Sequence, residues 1–205
     1  MIKKNCLLIF LFSLHTYYSF PQRSGQETFP KGYFIFPINP GQKNTLAGVL
    51  GDLRTNHFHA GIDIRTQQRE GLQVLAAADG YISRIKVQTT GYGNVIFIKH
   101  PNGMTTVYGH LLSYAEPMGS YLRQKQYERK SFDIELNPSP EQFPVRKGQL
   151  IALSGNTGGS AGPHLHFEIR DSKDSYLNPL FFEFTEVEDD VSPYFNSLAI
   201  RPMSL

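Results

Sequence analysis

One stretch limits this chain more than any other: Gly162-Pro163-His164-Leu165-His166-Phe167-Glu168-Ile169-Arg170. Alternate residues of a β-strand share a face. As a strand, the run places Leu165, Phe167 and Ile169 on a core face and His164, His166 and Glu168 on a polar face. A helix would scatter both sets. Two imidazoles side by side on a rigid strand suit metal binding, or one ligand and one base. The strand therefore demands partners from elsewhere in the chain.

Those partners are present. His15 falls in the first twenty residues, and five of the other six histidines lie in three short strand-like segments. In Asn56-His57-Phe58-His59-Ala60-Gly61-Ile62-Asp63-Ile64, alternation puts His57, His59, Gly61 and Asp63 on one face. Phe58, Ala60, Ile62 and Ile64 fall on the other face. His59 and Asp63 join His166 as two imidazoles and a carboxylate, which leaves a fourth position open as in a catalytic zinc site. Gly61 leaves room for the ion. His164 is then free to act as a base toward water, and His110, at a strand end after Tyr108-Gly109, to donate to a developing oxyanion. His57 reads as a polar neighbour, Glu168 as an ion-pair or supporting group, and His100, before Pro101, as a solvated residue. The Gly155-to-Gly162 loop leads into a strand and lacks a Gly-Lys-Ser/Thr ending, so it is no phosphate cradle.

The rest of the chain reads as one β-rich domain with flanking segments. Its 205 residues include 18 Gly and 13 Pro, with 40% hydrophobic and 19% charged residues, enough for one core with many turns. Lys3 and Lys4 precede a short apolar run from Cys6 to Leu14, so residues 1–20 read as an export signal. The run is too short to span a bilayer, and no stable membrane insertion is expected once the signal is removed. Without it, 18 basic residues balance 18 acidic ones, which leaves no electrostatic footprint for nucleic acid. Cys6 is the single cysteine, so the exported chain has neither disulfide nor thiol nucleophile.

Residues 21–32 read as a linker, and Tyr33-Phe34-Ile35-Phe36-Pro37 as an edge strand ended by its proline. Residues 46–53 read as loop. Val74-Leu75-Ala76-Ala77-Ala78 reads as a buried strand that turns at Asp79-Gly80 into a hairpin with residues 81–87. Strands at 95–99 and 104–110 flank a turn at Asn102-Gly103. Residues 113–144 form an excursion with a short surface helix within 116–130. The strand over 145–153 echoes residues 71–77, a weak internal repeat. After Phe182 the chain turns acidic, as a linker would, and a new strand near 192–200 starts a further β-domain continuing beyond Leu205.

Phe58-His59-Ala60-Gly61-Ile62-Asp63, Tyr108-Gly109-His110-Leu111 and Ser154-Gly155-Asn156-Thr157-Gly158 with Gly162-Pro163-His164-Leu165-His166-Phe167-Glu168 together resemble the three signatures of the lysostaphin-type, LytM-like zinc metallopeptidases. The resemblance covers about residues 33–182. It implies an all-β, mainly antiparallel domain of the duplicated hybrid type, here with a short helical insertion. It implies one zinc ion held by His59, Asp63 and His166, with His164 as general base and His110 orienting substrate or stabilising the tetrahedral intermediate. The implied activity is endopeptidase cleavage of peptidoglycan peptides in the periplasm or cell envelope. Members that have lost their ligands instead activate other wall enzymes, and the long 113–144 segment is the departure that bears on an autoinhibited regulator. A cupin-like reading of His57, His59 and Asp63 gives His164 and His166 no role.

Overall fold

The structure, a computed structural model, describes residues 31–188. The expected signal, nearly all of the linker and the strand near 192–200 lie outside the described residues.

Among the described residues, twelve strands and one helix follow in chain order. They are β1 (Leu46–Gly48), β2 (Ile62–Arg65), β3 (Gln73–Leu75), β4 (Gly80–Val87), β5 (Val95–Lys99), β6 (Thr105–Gly109), β7 (Leu111–Tyr114), α1 (Met118–Arg129), β8 (Ile134–Leu136), β9 (Pro144–Val145), β10 (Leu150–Ser154), β11 (His164–Arg170) and β12 (Tyr176–Leu177). A 3-10 turn over Pro179–Phe182 follows. A large sheet runs β1-β2-β11-β6-β5-β4-β8, with β12 on β11 and β9 on β4, and a small sheet runs β3-β10-β7. Every pairing between these strands is antiparallel, as the sequence implied.

The opening strand sits in the middle of this arrangement. β11 pairs with β2 on one side (His166 opposite Asp63) and β6 on the other (His166 opposite Gly109). Leu165, Phe167 and Ile169 are fully buried in one core cluster that also takes Ile62, Ile64, Tyr108, Val74 and Ile151. Burying each such side chain contributes roughly 1.5–3 kcal/mol, so the register of β11 is held from its apolar face. A slip of one residue would put three imidazole- and carboxylate-bearing positions into hydrocarbon.

Several expectations are revised. Residues 33–37 form no strand: Pro37 has no N–H to give, and only isolated bonds such as Ile35 N–H to Ala77 O (2.8 Å) tie the segment down. Phe34 and Phe36 nevertheless enter the core. Residues 46–48, read as loop, form β1. Ahead of β2 the chain is a bent hairpin, closed by Gly51 N–H to His59 O and Arg54 N–H to His57 O (both 2.9 Å). Phe58 is therefore turned out to solvent, 70% exposed, and does not join the core face. The strand at 73–75 makes no hairpin with β4. It crosses to the small sheet and pairs with β10, while β4 starts at Gly80, which lies so close to Lys99 O that no side chain fits there. The weak internal repeat has a counterpart in this pairing. Gly71 N–H bonds Ser154 O and Gly148 N–H bonds Ala76 O, two reciprocal ends of one ladder.

The surface helix is found within the insertion, with Leu122 and Met118 buried beneath it. The insertion also adds a strand that the sequence did not reveal, β8, on the edge of β4. Residues 183–188, read as linker, dock on the domain. Phe184 packs against Phe36 and Phe167, and Glu188 N–H bonds Asn44 O at 2.9 Å.

His100 is the clearest reversal: it is 4% exposed. Its ring bonds Asp79 O and Thr106 Oγ1 (2.8 Å each), and Thr106 and Ala77 N–H both bond the Tyr108 hydroxyl (2.9 Å each). Burial pushes the His100 pKa down, so the ring is neutral and ties β6 to the connection between β3 and β4 through a buried polar chain. Tyr108→Phe should cost about 1–3 kcal/mol, the penalty for a buried amide and hydroxyl left without a partner, measured by urea unfolding.

Candidate functional site

His166 and His164 leave β11 on its polar face, Asp63 leaves β2 beside them, and His59 comes off the hairpin before β2. His59 Nε2, Asp63 Oδ1 and His166 Nδ1 lie 2.9–3.0 Å from one another. All three residues are buried. Gly61, expected to leave room for an ion, instead packs against the β11 backbone: a Cβ there would collide with Phe167 O. It lets β2 approach β11 closely enough for the donors to meet.

The outer ring nitrogens decide the chemistry. His59 Nδ1 lies 2.8 Å from Val49 O, His164 Nδ1 2.8 Å from Gly162 O, and His110 Nδ1 2.8 Å from Thr157 O. A carbonyl only accepts, so each of these nitrogens carries the hydrogen. His166 Nε2 lies 2.9 Å from Glu168 Oε1. Glu168 is fully buried, ion-paired with Arg170 at 2.7 Å and hydrogen-bonded by the Tyr92 hydroxyl. Its carboxyl is held below the usual range, where the cost of burial is outweighed by His166, Arg170 and Tyr92. It too can only accept. All four neutral imidazoles therefore turn a bare nitrogen inward.

Three lone-pair donors at van der Waals contact repel unless something positive sits among them. Without a metal, that is a proton. Burial opposes charge on His166, but hydrogen bonds to Asp63 and Glu168 prevail and lift its pKa to about 9. Burial likewise works against an ionised Asp63, yet the His164, His166 and His59 rings against it, with the shared proton among them, hold it far below the usual carboxylate range. A divalent ion can take the proton's place. Zinc with donors at about 2.0–2.2 Å in a tetrahedron separates them by about 3.3–3.5 Å, so shifts of a few tenths of an ångström admit it. The donor set therefore fits such an ion, and the described residues hold no second group of this kind.

His164 Nε2 stands 3.4 Å from Asp63 Oδ1, and its ring is 4.7 Å from that of His110. His110 occupies the corner between β6 and β7 with φ of 58°, a left-handed conformation uncommon for a side-chain-bearing residue. Burial, then the neighbouring His164, press its pKa down to about 4. At neutral pH its inward nitrogen accepts hydrogen bonds. Donation to an oxyanion, the role expected from the sequence, would require this ring to take up a proton.

The histidines open into a long cleft lined by the 50–59 hairpin, the 159–163 loop and residues near Tyr92. No residue of 113–144 lines it, so the insertion does not plug the groove. Sequence reasoning brought together His59, Asp63, His164, His166 and His110. It missed Arg54, which bonds Asp63 Oδ2 at 2.8 Å, Tyr92, and the carbonyls of Val49 and Thr157. Backbone acceptors leave no trace in residue identity.

An antiparallel β-fold that presents two imidazoles and a carboxylate beside two further imidazoles, each held at one nitrogen by a backbone carbonyl, is the architecture of a metallopeptidase domain. The chain belongs to peptidase family M23, whose profile matches residues 57–127 and 136–179. The unmatched gap falls at the end of α1 and the start of β8, inside the insertion. The chain is 36% identical over 141 residues to the DD-carboxypeptidase/endopeptidase Mpg of Neisseria meningitidis serogroup B, covering 69% of this chain and 23% of that protein. It is 29% identical over 153 residues to the murein hydrolase activator EnvC of Escherichia coli, covering 74% and 29%. The chain thus spans about a quarter of the length of these curated relatives. A zinc containing peptidase from Vibrio cholerae shares the fold, with a TM-score of 0.53 at 23% identity over 74% of this chain and 40% of that one. Among the described residues no helix is long and apolar enough to cross a membrane.

A folded pKa raised above the unfolded value stabilises fully below the latter and less as pH climbs through the former. Metal-stripped protein should therefore lose thermal stability between pH 6.5 and about 9, the span set by His166. Melting curves in the presence of chelator across that range check this.

Proposed function

We propose that the chain is an exported zinc metalloendopeptidase that hydrolyses cross-bridges or stem peptides of bacterial peptidoglycan in the periplasm or envelope. The observation that carries this reading is the set of three imidazole nitrogens, of His59, His164 and His166, gathered on one buried carboxylate, with the His110 ring beside them. His59 Nε2, Asp63 Oδ1 and His166 Nδ1 would hold one zinc ion. When bound, zinc acts as a Lewis acid that makes water acidic near neutral pH and polarises a carbonyl.

The protein's own part is positioning and proton transfer. His164 Nε2, its tautomer set by Gly162 O, accepts the proton of the attacking water as oxygen adds to the amide carbon. The same proton passes to the amine nitrogen as the C–N bond breaks, so the ring ends as it began. His110, neutral and tied to Thr157 O, accepts a hydrogen bond from water or a substrate N–H and orients it. Glu168 keeps His166 aimed inward and strengthens it as a donor. An open cleft suits an extended peptide, and the peptidoglycan assignment is supported by membership of M23 and by the names of the Mpg and EnvC relatives.

The similarity to an activator favours a second reading, a regulator of other wall hydrolases. Metal analysis and mass spectrometry of digested peptidoglycan decide between them. The enzyme reading expects about one zinc per chain and new peptide ends. His166→Ala should lose the metal. His164→Ala should keep it and lose about 10²–10⁴-fold in rate. A regulator would release no new ends by itself, and unchanged activity in both variants would sink the mechanism.

Leu53 and Phe58 stand 80% and 70% exposed on the cleft lip. Replacing both with Ser should raise KM roughly 3- to 10-fold, the effect of about 1 kcal/mol of apolar contact, with kcat nearly unchanged. Steady-state kinetics on a peptide substrate test this.

A further inference from the structure

Arg54 sits on the cleft hairpin, four residues after Leu50 and away from every motif that marks the site. Its Nη2 lies 2.8 Å from Asp63 Oδ2, while Asp63 Oδ1 faces His59 Nε2 and His166 Nδ1. The two oxygens of one carboxylate are thus divided between a guanidinium and the donor cluster. Asp52 Oδ2, at 4.0 Å from Arg54 Nη2, adds a looser contact, and Arg54 N–H bonds His57 O to fix the turn.

We propose that Arg54 is a positioning residue for the metal: it holds Asp63 so that one oxygen alone is offered to the cation, leaving the open position to water and substrate. This rests on the zinc reading above. A carboxylate free to rotate would present either oxygen or both, and a second oxygen on the ion would compete for the position the reaction needs. Gly48 belongs to the same device. A Cβ there would collide with Arg54 Nη2 and stand 2.8 Å from Asp63 Oδ2. A side chain there would have to push the pair aside.

Two effects of removing Arg54 have opposite signs, which makes the inference testable. Arg54 is itself a cation near the site, so deleting its charge alone should tighten metal binding. Loss of carboxylate orientation should weaken it, and outer-shell partners of ligands are worth about 10–100-fold in affinity. Zinc affinity is measured by competition with a chromophoric chelator, with circular dichroism to confirm folding. Arg54→Met is expected to bind zinc about 10–100-fold more weakly than wild type. Arg54→Lys keeps the charge and one donor but not the planar fork, and should recover part of the loss. Gly48→Ala keeps every charge, displaces the pair, and should weaken binding in the same direction. Affinity unchanged or tighter in Arg54→Met, or no recovery in Arg54→Lys, overturns the positioning role while leaving the zinc reading intact. A wild-type chain that takes up no zinc overturns both.

Discussion

Four imidazoles in this protein each have one nitrogen tied to an acceptor that cannot donate: Val49 O, Gly162 O, Thr157 O and the Glu168 carboxylate. That single circumstance sets the protonation of the site. With the outward nitrogens carrying hydrogen, the inward ones are bare, and those of His59, His164 and His166 converge on the Asp63 carboxylate. Two guanidiniums, Arg54 and Arg170, balance the two buried carboxylates from outside. The centre is left without a positive charge of its own. A buried group of lone pairs in this condition binds a proton or a cation, and affinity for one is linked to release of the other.

The scaffold exists to hold those groups at contact distance. β11 is flanked by β2 and β6, so His166 faces Asp63 across one ladder and Gly109 across the other. Small residues permit the approach. Gly61 lies against Phe167 O, and Gly158 meets Gly93 so tightly that neither tolerates a side chain. The second contact locks the loop that supplies Thr157 O to the loop that supplies Tyr92. The core on the opposite face, through Leu165, Phe167 and Ile169, fixes the register from behind. The ordering of polar groups is thereby maintained by apolar burial, which is stronger and less sensitive to salt or pH than the ion pairs it supports.

Much of this was legible in the residues. The alternation of 164–170 identified both faces of β11, and the histidine spacing identified the residues that meet. The failures share a cause. Residues 56–61 alternate like a strand, yet Phe58 is exposed because backbone bonds fold 49–59 on itself, and periodicity carries no information about who accepts those bonds. His100 precedes a proline at a strand end and looks solvated, but the Asp79 carbonyl, from the turn before β4, and Thr106, on β6, enclose it. β3 and β4 read as a hairpin because they are adjacent in sequence, whereas they belong to different sheets.

Sequence alone indicated that the domain is antiparallel β with a helical insertion, which faces of β11 are apolar and polar, and that His59, Asp63, His110, His164 and His166 lie together. Those properties follow from alternation and residue chemistry, both local. The tertiary structure decided which nitrogen of each ring is bare, that Thr157 O holds the His110 ring, that Arg54 takes one oxygen of Asp63, and that the insertion stays clear of the cleft. Each depends on a backbone carbonyl or a loop brought in from far along the chain. A tautomer is set by the partner of the opposite nitrogen, and that partner is chosen by the fold.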